Sequence, residues 1–209
     1  MLNNIGLVEH CKKALAEGWG YVWGTYGKVL TESLLSAKLQ QYPDNIRKYL
    51  DYIRKNYIGK RVVDCVGLIK AYIWWQNGDP VYTPESDKSA NGMYQAAKIK
   101  GSIETMPELP GTLVWKDGHI GVYLGYGQVA EAKGTKYGVI KTPLKGLLAT
   151  KWTNWCLCPY IDYVDEIEAY KAIILEHVNL DAPQLLWDVL DAHQYRYELY
   201  RKLADSYKR

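Results

Sequence analysis

The stretch VVDCVGLIKAYIWW, residues 62–75, decides how this chain is read. Asp64 carries a short carboxylate that can accept hydrogen bonds from the open amides of a helix start, so it is the predicted N-cap. The residues behind it are apolar except for Lys70, which predicts a helix wet along little of its surface. Asn77 and Gly78 are expected to stop it and Pro80 to keep it stopped. Cys65 then falls in the first turn of a buried helix. There the amide dipoles favour negative charge, and a thiol pKa can fall from ~8.5 into the range ~3.5–7.5. Such a position suits a nucleophile; the alternative is a small core residue.

Working towards the C-terminus, residues 78–92 are rich in Gly, Pro, Asp and Ser and read as a loop, with a short helix over 92–100. From Gly111 the hydrophobic period changes to two. TLVW, HIGVYL, QVAEA and GVIKT read as consecutive antiparallel strands, and a last strand around Cys158 to Ile161 is expected to close the sheet. In HIGVYL, His119, Gly121 and Tyr123 share one face, while Ile120, Val122 and Leu124 form the expected core face. A three-residue loop of Gly125, Tyr126 and Gly127 places Gly121 opposite Glu131, so that Glu131 is the diagonal neighbour of His119 across open space. Diagonal positions lie ~7–8 Å apart, within reach of long side chains. A two-residue loop flips the parity and turns Glu131 away. With the first parity, a thiol at a helix start, an imidazole on a strand and a carboxylate orienting that imidazole make a nucleophilic triad of Cys65, His119 and Glu131.

Towards the N-terminus, Asn3 or Asn4 caps a first helix carrying Ile5, Val8, Cys11 and Leu15 at helical spacing and ending at Gly18. In GWGYVWGTYG, residues 18–27, glycines alternate with aromatics; this is a tight aromatic-packed turn, or Tyr21 and Trp23 line a site. Residues 29–58 predict two amphipathic helices broken at Pro43. The basic residues from Lys38 to Arg61 read as a solvated face, with attraction to a polyanionic surface as the alternative. The tail, residues 165–209, returns to helical spacing: Ile167, Tyr170, Ile173 and Ile174 stripe one helix, residues 179–183 break it, and Leu185 to Leu203 carries one or two more.

Composition bounds the classes. A chain of 209 residues holds one substantial core, or one domain with an extension. Tyr at 19, Trp at 8 and Phe at 0 supply aromatic bulk with polar tips, which suits polar-ligand grooves. A net charge of +3 is too small to argue for nucleic acid. Four cysteines make no disulfide framework. Cys156 and Cys158 with His10 and Cys11 lack a common structural-zinc spacing, so neither metal nor cofactor is expected. No apolar stretch approaches the ~20 residues of a membrane span, and the start MLNNIGLVEH reads as no signal peptide, which predicts synthesis in the cytoplasm.

The ordered set YVWG (21–24), DCVGLI (64–69), PG (110–111) and GHIGVYLGYGQVAEA (118–132) resembles the NlpC/P60 cysteine peptidases, papain-like enzymes that cut bacterial cell-wall peptides. The match spans roughly residues 5–161. DKSANGMY (87–94) and WTNW (152–155) look like a phage- and Firmicutes-associated branch. The resemblance implies an α+β papain-like fold, with N-terminal helices and the nucleophile helix packed on an antiparallel sheet. It implies a catalytic domain over 1–164 with a helical insertion at 28–60; the tail over 165–209, read from its helical spacing, is a separate helical extension that packs on that domain, pairs two subunits or targets the wall. Cys65 becomes the nucleophile, His119 the base and Glu131 the third polar residue. Tyr21 falls near the oxyanion position, and Asp64, Trp23 and Ser89 border the substrate. Val66 stands where Ser is common, and Ser86 to Asn91 replace the usual Arg-containing loop. The implied partner is the peptidoglycan stem peptide, reached after holin-type release.

Overall fold

The computed structural model describes residues 2–177, 183–192 and 196–207. They fall into two compact units, Met1–Asp162 and Tyr163–Arg209.

In the first unit the Asn3 side chain accepts from the Gly6 amide and starts α1 (Asn4–Ala16). Leu7, Val8, Cys11 and Ala14 form its buried side. The aromatic-glycine segment that follows is two short strands rather than a turn alone. β1 (Gly20–Tyr21) and β2 (Tyr26–Val29) flank β3 (Arg61–Val63), β1 parallel to it and β2 antiparallel. Between β2 and β3 run α2 (Glu32–Gln41), α3 (Pro43–Ile46) and α4 (Leu50–Tyr57). Thr31 caps α2, and Pro43 opens α3, where its missing N–H costs no helix hydrogen bond. Leu30, Leu35, Ile46, Ile53 and Tyr57 gather with Val22 and Val62 into one buried cluster, so the inserted helices fasten onto the small sheet by their apolar sides.

The opening stretch gives a shorter helix than its apolar run predicts. α5 covers Gly67–Ile73, and Cys65 and Val66 form the turn before it. At the far end Trp75–Gln76 (β4) pairs with Asp79–Pro80 (β5), and Asn77 (φ 48) and Gly78 (φ 90) make the hairpin turn between them. The two positive-φ residues therefore close a hairpin rather than stop a helix. Arg61 pins this hairpin, reaching Asp79 at 2.7 Å and the Gly78 carbonyl at 2.9 Å while lying 4.8 Å from the Trp75 ring centre.

After α6 (Ala90–Ala96) come β6 (Lys100–Ser102), β7 (Leu113–Lys116), β8 (His119–Gly125), β9 (Gln128–Gly134), β10 (Gly138–Pro143) and β11 (Asn154–Cys156). They form one antiparallel sheet in the order β10-β9-β8-β7-β11-β6. The closing strand thus ends at Cys156, and Pro159, which has no N–H to give a ladder, lies in a turn. β6 was not signalled by its composition, Lys-Gly-Ser, and exists because β11 supplies a partner. The face carrying His119 is not the open one that alternation implies: Tyr123 on it is fully buried in a cluster with Val114, Val129 and Trp152. α1 packs on β8, β9 and β10, and α5 packs on α1, β2 and β3, an α+β arrangement of helices on antiparallel sheets.

The second unit holds α7 (Glu166–His177), α8 (Pro183–Asp191) and α9 (Arg196–Tyr207). Ile174, Trp187, Tyr200 and Ala204 form its core. Of the expected stripe, the side chains of Ile167, Tyr170 and Ile173 lie outside the described residues, as do residues 179–182 of the expected break. Among the described residues no helix is long and apolar enough to cross a membrane.

Candidate active site

Asp64 is half-buried at the entrance to the Cys65 turn. Its Oδ1 accepts from the Gly67 amide at 2.6 Å, its Oδ2 accepts from the Gly24 amide at 2.9 Å, and its carbonyl receives the Leu68 amide at 3.1 Å. Asp64 therefore caps the turn as its chemistry predicts, and it also ties that turn to the β1–β2 connection. A Cβ at Gly67 would overlap the Thr25 carbonyl oxygen, so this approach needs glycine. Burial pushes the Asp64 carboxyl up, against the opposing pull of Lys70 and the two amides.

Cys65 is buried, with its Sγ 3.9 Å from the Gly118 carbonyl, the residue before His119. Burial, helped by the Asp64 charge, pushes its thiol up to about 12, against the amides of Val66, Ile120 and Cys65 itself. This corrects the expectation of a depressed thiol. The helix that was to lower it starts two residues later, and desolvation outweighs the amides that remain.

On the sheet side, His119 Nε2 lies 2.7 Å from Glu131 Oε2. The hairpin achieves this by a route the expected loop length missed. Gly125 pairs Gln128 across a two-residue turn of Tyr126 (φ 53) and Gly127 (φ 65), yet Val122 pairs Ala130. Leu124 is the extra residue of a bulge, and the bulge restores the parity that a two-residue turn alone would flip. Glu131 is fully buried and accepts from Thr142 Oγ1 and Thr150 Oγ1, each at 2.6 Å, besides His119. Burial alone would raise its carboxyl, but those three hydrogen bonds hold it below the usual range.

The space over Gly121 is not open. The Trp152 indole fills it, so that a Cβ at Gly121 would sit 3.1 Å from the ring. The same ring stacks on His119, centres 5.2 Å apart and planes at 8°. Trp152 thus covers the imidazole–carboxylate bond, and its own indole N–H is buried without a partner. Asn91 secures the turn between β7 and β8: its Oδ1 accepts from the Gly118 amide at 2.8 Å and the Trp115 indole at 3.2 Å, and its Nδ2 donates to Asp117 at 2.7 Å.

A cleft of about 680 Å³ opens on the Cys65 side, lined among others by Tyr21, Trp23, Asp64, Cys65, Ser89 and Gly118. Tyr21 is buried beside Val63 through the β1–β3 pairing, and burial raises its hydroxyl. Trp23 is 40% exposed. Ser89 caps α6, its Oγ accepting from the Gly92 amide at 3.0 Å. His10 and Cys11 are buried apart from this cleft, His10 against the rings of Trp19, Tyr72 and Trp75. Among the described residues no cluster of three or more His, Cys, Asp or Glu could hold a metal.

Sequence reasoning missed Thr142, Thr150, Asn91 and the stacking role of Trp152. Thr142 was within reach of the pairing argument, since Ile140 pairs Glu131 and Thr142 lies two residues on, on the same face. Thr150 and Trp152 sit in a loop, where periodicity carries no information.

No family model and no curated protein matches this chain. Among solved structures it is similar to the P60 domain of an antigen from M. avium subspecies paratuberculosis, at 20% identity and a TM-score of 0.40, over 77% of this chain and 98% of that one. It is also similar to the peptidoglycan hydrolase RipB from Mycobacterium tuberculosis, at 18% identity and a TM-score of 0.41, over 77% of this chain and 67% of that one.

Proposed function

We propose that this chain is a cysteine peptidase that hydrolyses peptide bonds of bacterial peptidoglycan, with Cys65 as nucleophile, His119 as general base and then acid, and Glu131 as the group that orients His119. The observation that carries this reading is the His119 Nε2–Glu131 Oε2 bond at 2.7 Å. An ionised carboxylate only accepts, so Nε2 holds the proton and Nδ1 keeps the lone pair that can take the thiol proton. A thiol pushed up by burial rests neutral and gives that proton up when substrate arrives.

The thiolate attacks the amide carbonyl carbon. The amides of Cys65 and Val66, which act on the sulfur, stabilise the oxyanion, with Tyr21 lining the same cleft. His119 then protonates the leaving amine, the acyl-enzyme forms, and water activated by the same imidazole releases the acid. The bond we assign, from the resemblance of the motifs, is D-γ-glutamyl to the diamino acid of the stem peptide; the neighbouring choice is N-acetylmuramoyl-L-alanine.

Digestion of purified peptidoglycan followed by mass spectrometry of the products tests this. Wild type is expected to release new amino termini on the diamino acid, and Cys65→Ala to release none, a loss of roughly 10⁴-fold or more in kcat. Equal product from Cys65→Ala removes the mechanism; new muramoyl ends remove the bond assignment alone.

A further inference from the structure

The Cys65 cleft carries a cation, Lys38, that none of the described carboxylates pairs directly. Lys38 and Gln41 of the inserted α2, with Tyr42 after it, line the cleft together with Asp64 and Cys65. Lys38 Nζ donates to the neutral Gln41 Oε1 at 2.8 Å and lies 5.6 Å from the centre of the Tyr42 ring. Among the described residues it forms no ion pair. The two acids lining the cleft are otherwise engaged: Asp87 holds Lys70 at 2.8 Å and the Tyr82 hydroxyl at 3.0 Å, and Asp64 holds the amides of Gly67 and Gly24. Burial disfavours the Lys38 ammonium, with a smaller push from Lys70, and the more distant charges of Asp64 and Asp87 oppose that loss. A half-exposed ammonium with no carboxylate at ion-pair distance among the described residues, in the same cleft as a nucleophile, is a site for an anion brought by the substrate.

We propose that Lys38 determines specificity by taking a free carboxylate of the bound peptide, an inference that rests on reading the cleft as a peptidase site. A γ-linked glutamate keeps its α-carboxylate free beside the bond to be cut, and α-amidation removes that charge. The inserted helices would then do more than cover the groove: they make the protein discriminate stem peptides with a free carboxylate from amidated ones.

The test is a binding measurement on the full chain carrying Cys65→Ala, so that the peptide stays intact. The probes are two synthetic stem tetrapeptides with a γ-linked glutamate, one with the α-carboxylate and one with the α-carboxamide. Calorimetry is expected to show the carboxylate form bound roughly tenfold more tightly, as one charge-assisted hydrogen bond supplies. Adding Lys38→Met is expected to bring the ratio of the two affinities to about one, and Lys38→Arg to keep most of it. The proposal is overturned by equal binding of both peptides to the parent, by no binding of either, or by a ratio that survives Lys38→Met. It is also overturned if the ratio collapses with Lys88→Met, at the other cleft lysine that has no ion pair among the described residues, and not with Lys38→Met. Cleavage of the same peptides by wild type is read separately. Selective binding without cleavage would sink the peptidase reading and leave the Lys38 site in place.

Discussion

Two carboxylates bracket the candidate site, Glu131 buried and Asp64 half-buried, and the protein treats them in opposite ways. Glu131, on the sheet, receives three side-chain donors, one of them an imidazole, and its carboxyl sits below its usual 4.5. Asp64, at the helix turn, receives two backbone amides, and burial drives its carboxyl above its usual 3.8. The first is built to stay charged beside an imidazole. The second is built to hold two chain segments together, and its charge is a burden on the thiol next to it. The sheet half of the site is therefore electrostatically prepared, and the turn half is geometrically prepared.

The hardest test of that contrast is the isosteric pair Glu131→Gln and Asp64→Asn. In Glu131→Gln the amide NH₂ faces His119 Nε2 if the carbonyl keeps its two threonine donors. The imidazole must then protonate on Nδ1, the wrong nitrogen for a base. We expect kcat to fall roughly 10³-fold with the fold intact. Asp64→Asn loses one of two amide bonds, a stability cost of about 1–3 kcal/mol, with a much smaller loss of kcat. Similar losses of kcat in the two variants would erase the distinction.

The same pair should separate by pH in thermal unfolding. Glu131 has a depressed folded pKa, so its stabilisation is complete above the unfolded value near 4.5 and is lost as pH falls through the folded one. Asp64 has a raised folded pKa, so wild type loses stability relative to Asp64→Asn as pH rises through that value. The two difference curves should slope oppositely. At Cys65 a thiol near 12 predicts alkylation by iodoacetamide that climbs steadily with pH and is faster in Asp64→Asn. A plateau already reached at neutral pH would mean the thiol rests as a thiolate.

How much of this was legible beforehand follows the same division. The face of Glu131 hung on the length of the hairpin loop, whereas the Asp64 cap and the His119 strand are local rules, written in residues a few positions apart. The Leu124 bulge is not: Tyr126-Gly127 reads as part of a longer loop, and only the paired strand shows which residue is extra. The thiol pKa failed for a related reason, because burial is a property of the packed chain while a helix start is a property of a segment. The tail was legible as helices but silent about purpose.

Trp152 offers a milder probe of the sheet half. Trp152→Ala opens the His119–Glu131 bond to water and should cost kcat roughly tenfold or more, as loss of an outer partner does. Trp152→Phe keeps a ring over the imidazole and removes a buried N–H with no partner, so stability should change by less than the lost area implies. If Phe behaved like Ala in kcat, cover would not be what the indole supplies.

The smallest effect is expected where the turn half meets the substrate cleft, at Ser89. Its Oγ accepts from the Gly92 amide, so the side chain serves the start of α6, whose Asn91 in turn holds the Gly118 turn against Cys65. Ser89→Ala should cost about 1 kcal/mol of stability, as the loss of an N-cap does, and Ser89→Asp should return most of it. KM for a stem peptide should follow neither change by more than about twofold if capping is the whole role. A KM that rises in both variants, while Asp restores stability, would instead make the Ser89 hydroxyl a donor to the substrate. Because Asp caps well but cannot donate when ionised, this one pair of substitutions separates holding the cleft wall in place from touching what lies in it.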